Sequence, residues 1–372
     1  THEEMNKLVF VALFAVAFAR VAIVPEMIAE VNRLDAGWTA GVNEYFLGKT
    51  LDEVRASLMP ELNKPNLPKR YASAGVSVPD SFDARDEWPD CIHPIQNQGD
   101  CGSCWAFGAG EALEDRYCIA SDGAINELLS KQYIVSCDYS DDGCNGGNLD
   151  DVWRFLKLTG TVTDACMPYV SGDSGYVPSC PTDCEDGSDM INYKVSKFFD
   201  ISSSVEAIQQ EIQENGPIEV AFMVYEDFMS YTGGVYKHVS GSFLGGHAVK
   251  MIGWGTEDGQ DYWLIANSWD TNWGEDGFFR IVRGDDECGI EDYCVAGTPK
   301  SAPGTEMILD DELIQDVNRQ GAKWHSGRNP RFEGITKQQA RAMLGGALKK
   351  PNLPRRVHFG YSVPDAFDSR TQ

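Results

Sequence analysis

The chain has 372 residues, a formal charge of -26, and 42% hydrophobic residues that include 17 Phe, 14 Tyr and 9 Trp. That is apolar material for a globular core, in a length that holds two domains or one large domain with appendages. An acidic balance of this size excludes nucleic acid and anionic membrane surfaces as main partners. Its plainest meaning is solubility, and it suits a protein working in an acidic compartment.

From the N-terminus, Lys7 precedes eleven apolar residues, Leu8 to Phe18, with small residues spaced for cleavage at Ala17-Phe18-Ala19. Eleven residues cannot span a core of about 30 Å. Residues 1–19 therefore read as a signal peptide with Met5 as initiator, and no other stretch is long enough to cross a membrane. Residues 20–77 carry two helical stretches, Pro25 to Leu34 and Leu51 to Leu58, and then a Pro-rich connector; such segments need a partner surface. The eleven cysteines all lie from Cys91 to Cys294, which points to an oxidising compartment. Within residues 78–300, Ala106, Ala109, Ala112 and Leu113 predict a helix starting at Cys104. A second helix spans Val205 to Asn215 and is stopped by Gly216-Pro217. From Ile218 on, short Val/Phe/Tyr runs separated by glycines predict antiparallel strands. A helical half followed by a β half predicts an α+β fold with a cleft between two lobes.

Residues 301–372 begin with a linker-like Ser301-Ala302-Pro303-Gly304 and then repeat the N-terminal region. Val31-Asn32-Arg33, Trp38 and Pro65 to Arg70 recur as Val317-Asn318-Arg319, Trp324 and Pro351 to Arg356 at one offset of 286. With a one-residue slip, Val78 to Arg85 returns as Val363 to Arg370.

The chemistry concentrates in Gln98-Gly-Asp-Cys-Gly-Ser-Cys104-Trp-Ala-Phe107, followed 143 residues on by Gly245-Gly246-His247 and 20 residues later by Asn267-Ser268-Trp269. A thiol attacks as its thiolate, which a helix N-terminus and an imidazolium both favour. Cys104 is placed for the first and His247 for the second. Asn267 can accept the other ring N–H, and Gln98 can donate its amide to an oxyanion beside the backbone N–H of Cys104. A lone cysteine in a secreted chain is more often a disulfide half, but Cys104 is the odd member of eleven and has matched partners. The Cys101–Cys104 spacing also fits a redox or zinc pair, yet no second pair or His cluster accompanies it. The acidic run Asp138 to Asp142 reads as a solvated loop. No metal or cofactor is expected.

These motifs resemble the papain family, and cathepsin B within it, along Val78 to Lys300. Phe82-Asp-Ala-Arg85, Asp142-Gly-Cys-Asn-Gly-Gly147, Gly253-Trp-Gly255 and Cys288-Gly-Ile-Glu291 match in order. Trp38-Thr-Ala-Gly-Val-Asn43 looks like the core of a short propeptide that lies reversed in the cleft. The resemblance implies a papain-like two-lobed fold and a thiol endopeptidase made as a zymogen, with 20–77 the inhibitory propeptide and 301–372 a second, looser copy. It also implies the bridges Cys91–Cys118, Cys101–Cys144, Cys137–Cys180 and Cys166–Cys184. Cys288 and Cys294 remain, and a bridge between them stays open.

Two departures bear on specificity. Cathepsin B removes C-terminal dipeptides through two adjacent histidines on an occluding loop; here 17 residues separate Cys166 from Cys184, and none is His. The loop-shortened protozoan type is the better match, with an open primed side and weak or absent carboxydipeptidase activity. Where cathepsin B has an acid in its S2 pocket, this chain aligns Tyr293, so a hydrophobic P2 residue is expected between Ala221 and Ala248. Gly146, Gly147 and Gly246 would offer backbone groups to an extended substrate; Trp269 would shield the Asn267–His247 bond and Trp273 would floor the primed side. Expected partners are protein and peptide substrates, the chain's own propeptide and cystatin-like inhibitors, for a monomer in the secretory pathway, lysosome, vacuole or extracellular space. The rival readings are a propeptide-type inhibitor or pseudoenzyme, and a disulfide oxidoreductase with a Cys101–Cys104 bridge.

Overall fold

The computed structural model describes residues 20–300, 303, 308–319, 324–336, 340 and 343. The expected signal peptide and the repeats at Pro351–Arg356 and Val363–Arg370 lie outside the described residues.

The N-terminal segment opens with α1 (Pro25–Leu34), started by its proline and ended by Asp35 in the left-handed region at φ 49°. After β1 (Trp38–Ala40) and a 3-10 turn at Glu44–Phe46 comes α2 (Leu51–Ala56), begun by a Thr50/Glu53 capping box. This helix stops two residues before the expected Leu58. Ser57 turns the chain there and donates its hydroxyl to the Val54 carbonyl at 2.9 Å. Then follow β2 (Lys69–Arg70), β3 (Phe82–Asp83), α3 (Ala84–Glu87), α4 (Cys104–Ala120), α5 (Lys131–Cys137) and α6 (Leu149–Leu158). The second half holds β4 (Val195–Ile201), α7 (Val205–Asn215), β5 (Ile218–Tyr225), β6 (Tyr231–Tyr236), β7 (Phe243–Glu257), β8 (Gln260–Ala266), β9 (Phe278–Val282) and β10 (Cys294–Pro299); α8 (Asp311–Arg319) lies in the tail.

The strands form one sheet in the order β1-β6-β9-β8-β7-β5-β10-β4-β2, with β3 paired to β7. Both ends of that order belong to the N-terminal segment. β1 pairs antiparallel with β6, Trp38 opposite Gly234, and β2 pairs parallel with β4. Residues 20–77 thus cover edges that would otherwise present unpaired backbone groups. Their apolar side chains Val31, Trp38, Phe46, Leu51, Val54 and Leu58 join the core formed by the sheet. A second core surrounds α4, α5 and α6 with Trp105 and Trp153. The α+β architecture with its two lobes is therefore as expected.

Four disulfides are formed, Cys91–Cys118, Cys101–Cys144, Cys137–Cys180 and Cys166–Cys184, the pairs the resemblance implied. Cys104, Cys288 and Cys294 are free thiols. No fifth bridge forms: Cys294 donates instead to the carbonyl of Ile290 at 3.3 Å and Cys288 to the Glu287 carboxylate at 3.4 Å. Parity therefore does not single out Cys104, and the bonding of Cys101 to Cys144 removes the oxidoreductase reading.

β7 is the longest strand, and β3 crosses it at Asp83 opposite Gly253. A methyl group on Gly253 would collide with the Phe82 carbonyl oxygen. Gly253→Ala should cost roughly 1–3 kcal/mol by overpacking, read as a lower denaturant midpoint with unchanged m-value; an unchanged midpoint would refute the crossing.

Candidate active site

Cys104 is the first residue of α4, and the loop before it is held from several sides. The Cys101–Cys144 bridge ties it to the 143–145 turn. Gly102 N–H donates to the Cys144 carbonyl at 2.9 Å, and the Ser103 hydroxyl meets Tyr169 Oη at 2.8 Å. The sulfur is fully buried, with the backbone N–H groups of Trp105 and Ala248 directed at it.

His247 comes from β7, opposite Phe222 of β5, and is also fully buried. Its Nε2 lies 2.7 Å from Asn267 Oδ1, and its ring stacks on Trp269 with centroids 4.5 Å apart and planes inclined by 18°. An amide oxygen only accepts, so Nε2 carries the proton. Nδ1 then presents a bare lone pair and has no partner among the described residues. Asn267 Oδ1 is fixed in turn by Ser268 N–H at 2.8 Å. Gln98 is buried beside this group: its Oε1 accepts from Ser268 Oγ at 2.8 Å, and its Nε2 donates to the Cys101 carbonyl at 2.9 Å and to Ser57 O at 2.8 Å. The expected oxyanion donor therefore holds a carbonyl of the N-terminal segment.

That segment runs through the cleft. Tyr45 stacks on Trp269 with centroids 6.2 Å apart, and Phe46 meets the same ring edge-on at 5.0 Å. Asn43 donates to the carbonyls of Met229 and Tyr231 and accepts from Gly274 N–H. Met59 exchanges two backbone hydrogen bonds with Gly246, at 2.8 and 2.7 Å. Methyl groups on Gly146 or Gly246 would strike Pro60 and Leu62 respectively. Gly147 backs onto the Trp105 ring.

Ala221 and Ala248 are buried in one cluster with Cys104 and Met59, and Leu62 and Tyr293 pack against it. Tyr293 also lines a cavity of about 380 Å³ with Met223, Lys64 and the acids Asp286, Glu287 and Asp292; Lys64 pairs with Asp292. Trp273 lies fully buried behind Trp269, centroids 5.1 Å apart, so it supports that ring from beneath. Asn43, Ser57 and Asp292 were missed from the sequence. Only Asn43, the end of the Trp38-to-Asn43 motif, carried a signal.

Burial decides the charge state. It drives the His247 imidazole down to about 4, the Asn267 bond opposing, and pushes the Cys104 thiol up to about 12. With the N-terminal segment seated, both groups are neutral across the physiological range. The expected imidazolium neighbour is therefore absent in this state. The acidic loop also departs from expectation: Asp138 is buried and Asp141 half-buried, each with an unpartnered carboxylate oxygen. Burial raises both above the usual carboxyl range, and for Asp141 the neighbouring Asp138 adds to it.

The chain between Cys166 and Cys184 folds back toward α4. Tyr169 Oη donates to the Gln98 carbonyl at 2.9 Å, and the N–H groups of Val170 and Ser171 donate to Gln132 Oε1.

A buried thiol at a helix N-terminus, clustered with the residue that follows an amide-held imidazole, is the equipment of a thiol hydrolase. Residues 78–298 match the profile of the papain family cysteine protease, and the chain belongs to that family. It is 46% identical over 291 residues to cathepsin B-like CP3 of Giardia intestinalis, an alignment covering 77% of this chain and 97% of the relative. With cathepsin B-like cysteine proteinase 5 of Caenorhabditis elegans it shares 41% over 340 residues, covering 78% and 98%. Its structure is similar to that of proCathepsin B S9 from Trypanosoma congolense, with a TM-score of 0.71 and 33% identity over 75% of this chain and 99% of that one.

The neutral pair makes occlusion pH-dependent. In the sealed site His247 binds its proton only near pH 4, against 6.5 when solvated. The sealed state therefore holds fewer protons between those values, and it loses stability as pH falls through that window. Amide exchange at Met59 and Gly246 in a Cys104→Ser chain should lose protection from pH 6.5 to 4, by up to about tenfold per unit. His247→Gln should flatten the slope; equal slopes in both chains would rule His247 out.

Proposed function

We propose that this chain is a cysteine endopeptidase zymogen in which Cys104 attacks as thiolate and His247 serves as general base and acid. The observation that carries the reading is the Cys104–His247–Asn267 arrangement at the foot of a cleft already occupied by an extended chain. Once residues 20–77 leave, His247 Nδ1 is free to take the thiol proton. Water then stabilises the resulting imidazolium, and the α4 terminus stabilises the thiolate. The scissile carbonyl would replace that of Ser57, its developing oxyanion taking the Gln98 Nε2–H and the backbone N–H of Cys104. Asn267 keeps the imidazole in one tautomer, and Trp269 keeps water from that bond. His247 next protonates the leaving amine, and a water activated by the same nitrogen hydrolyses the thioester.

The direction of residues 20–77 supports their role as an inhibitory propeptide. They pass Trp269 at Tyr45, Gln98 at Ser57 and the Gly146/Gly246 walls at Pro60 and Leu62. A substrate would meet the glycine walls with its P residues and Trp269 with its P′ residues, so the propeptide lies reversed. Its carbonyl at Gln98 therefore presents no bond in register for attack.

Met59 and Leu62 against Ala221, Ala248 and Tyr293 support a hydrophobic P2 preference. The histidine-free loop anchored through Tyr169 supports an open primed side, with carboxydipeptidase activity weak or absent. Protein and peptide substrates, cystatin-like inhibitors, a monomeric state and a secretory, lysosomal or extracellular location complete the proposal.

Mass spectrometry of products from a mixed peptide library at mildly acidic pH tests it. Internal cuts with a hydrophobic P2 residue are expected, abolished by Cys104→Ser and slowed about a hundredfold by Gln98→Ala. Successive loss of C-terminal dipeptides would refute the open primed side. Tyr293→Glu should raise kcat/KM for Arg at P2 by roughly tenfold or more; no change would show that Tyr293 does not line this pocket.

A further inference from the structure

The tail reproduces the internal hydrogen bonds of the N-terminal segment at the same offset of 286 that relates their sequences. Asn32 exchanges two bonds with Ala40, both 2.9 Å; Asn318 does the same with Ser326, at 2.9 and 2.8 Å. Ala22 N–H reaches the Lys49 carbonyl at 2.9 Å, and Ile308 N–H reaches that of Ile335 at 2.9 Å. Val54 N–H bonds Thr50 O as Ala340 N–H bonds Thr336 O. Gly48 and Gly334 both take positive φ, 82° and 72°. α8 falls on α1, and the turn Pro330–Phe332 falls on Glu44–Phe46. Pairing at matched positions throughout shows one local fold made twice.

The two copies differ in what covers them. Trp38 is 5% exposed, set against Tyr236 with its Nε1–H on the Lys237 carbonyl, whereas Trp324 is 61% exposed. Asn43 anchors the first copy to β6 and Gly274, while Asn329 Oδ1 accepts only from Arg331 N–H among the described residues. Phe332 stands where Phe46 abuts Trp269. The tail thus carries the anchor residues of a cleft-covering segment without a cleft beneath them. Its α8 borders instead a groove with Arg154 and Lys157 of α6.

We propose that residues 308–319 and 324–336 belong to a second, outward-facing prosegment whose occupant is the emptied cleft of another copy of this chain's catalytic domain. Trp324 would seat on β6, Asn329 on the 229–231 carbonyls and Phe332 on Trp269, making the tail an inhibitor in trans. The inference rests on the protease reading above. Trp38 and Asn43 meet surface supplied wholly by the domain, so any copy stripped of residues 20–77 offers the same contacts.

The test uses the full-length Cys104→Ser chain, whose own cleft stays covered, added to acid-activated wild-type enzyme. Hydrolysis of a peptide substrate should fall with the concentration of added chain, competitively. Trp324→Ala in the added chain should raise the inhibition constant by about tenfold or more, as for loss of an interface aromatic anchor. Because Trp324 is exposed, that variant should keep the parent's thermal midpoint. Sedimentation of the full-length Cys104→Ser chain with the activated, alkylated domain reads the complex without activity. An active enzyme that is not inhibited, inhibition indifferent to Trp324, or self-association of the added chain with no complex would each overturn the proposal. Failure of Cys104-dependent hydrolysis alone would sink the protease reading, with sedimentation still deciding whether the tail docks.

Discussion

The two lobes are held in register by charge buried along α4. This helix is buried over most of its length, and it carries Glu111, Glu114, Asp115 and Arg116 into the interior. Glu114 receives Lys131 of α5 at 2.6 Å, Asp115 receives Lys250 of β7 at 2.6 Å, and Arg116 reaches Glu211 of α7 at 2.9 Å. An unpaired charge at such depth costs several kcal/mol. Each ion pair therefore works as a registration device, since neither lobe can slide along the helix without stranding a charge. His93 adds a bond to Asp115 at 2.7 Å, which with Glu114 makes a cluster of metal-ligand type; the ammonium groups of Lys131 and Lys250 already occupy its oxygens. The geometry of the candidate site inherits this precision. Cys104 lies at one end of the helix whose far side is locked, and His247 lies three residues before Lys250 on the strand that lock holds.

In the proposed zymogen, latency follows from solvent rather than from broken geometry. The Cys104 thiol and the amide-held His247 imidazole are both fully buried with residues 20–77 in place, and burial leaves both neutral. The covering chain is itself tied down by contacts of two kinds. Backbone pairing at Met59–Gly246 and the contacts of Tyr45 and Phe46 with Trp269 contain no ion pair. The cations Arg20, Lys49, Lys64 and Lys69, by contrast, meet Glu226, Asp100, Asp292 and Asp200 on the domain. Each pair has at least one solvent-exposed partner, the cation in three and Asp100 in the fourth, and is individually weak. Together they set cations of a covering segment that is itself electrically balanced against acids of the domain.

The candidate site was legible in the sequence because its residues stand at fixed spacing. Cys104, His247, Asn267 and Gln98 could be paired with roles before any fold was known, and α1 and α7 ended where their proline, glycine and periodicity said they would. The misses share a different cause. The shortening of α2 depends on where Ser57 must turn to cross the cleft. The burial of Asp138 and Asp141 depends on which loops close over them. The pairing of Cys288 and Cys294, left open by the sequence, depends likewise on their finding oxygen acceptors instead of each other. Each is a property of what packs against a residue, and local pattern does not encode that.

The tail isolates the same distinction within one molecule. Residues 308–336 carry enough of the first copy's sequence to rebuild its helix, its 3-10 turn and its asparagine clasp, so those features need no cleft to form. What they do not rebuild is the covered tryptophan. Trp38 and Trp324 sit at matching positions in matching local structure, and only a partner surface separates 5% from 61% exposure. Local sequence therefore shapes the segment, and contact with the domain supplies the burial of its tryptophan. Such an exposed anchor leaves apolar surface without a complement. Under the proposal, that surface is covered when the vacated cleft of another copy of this chain's catalytic domain receives it.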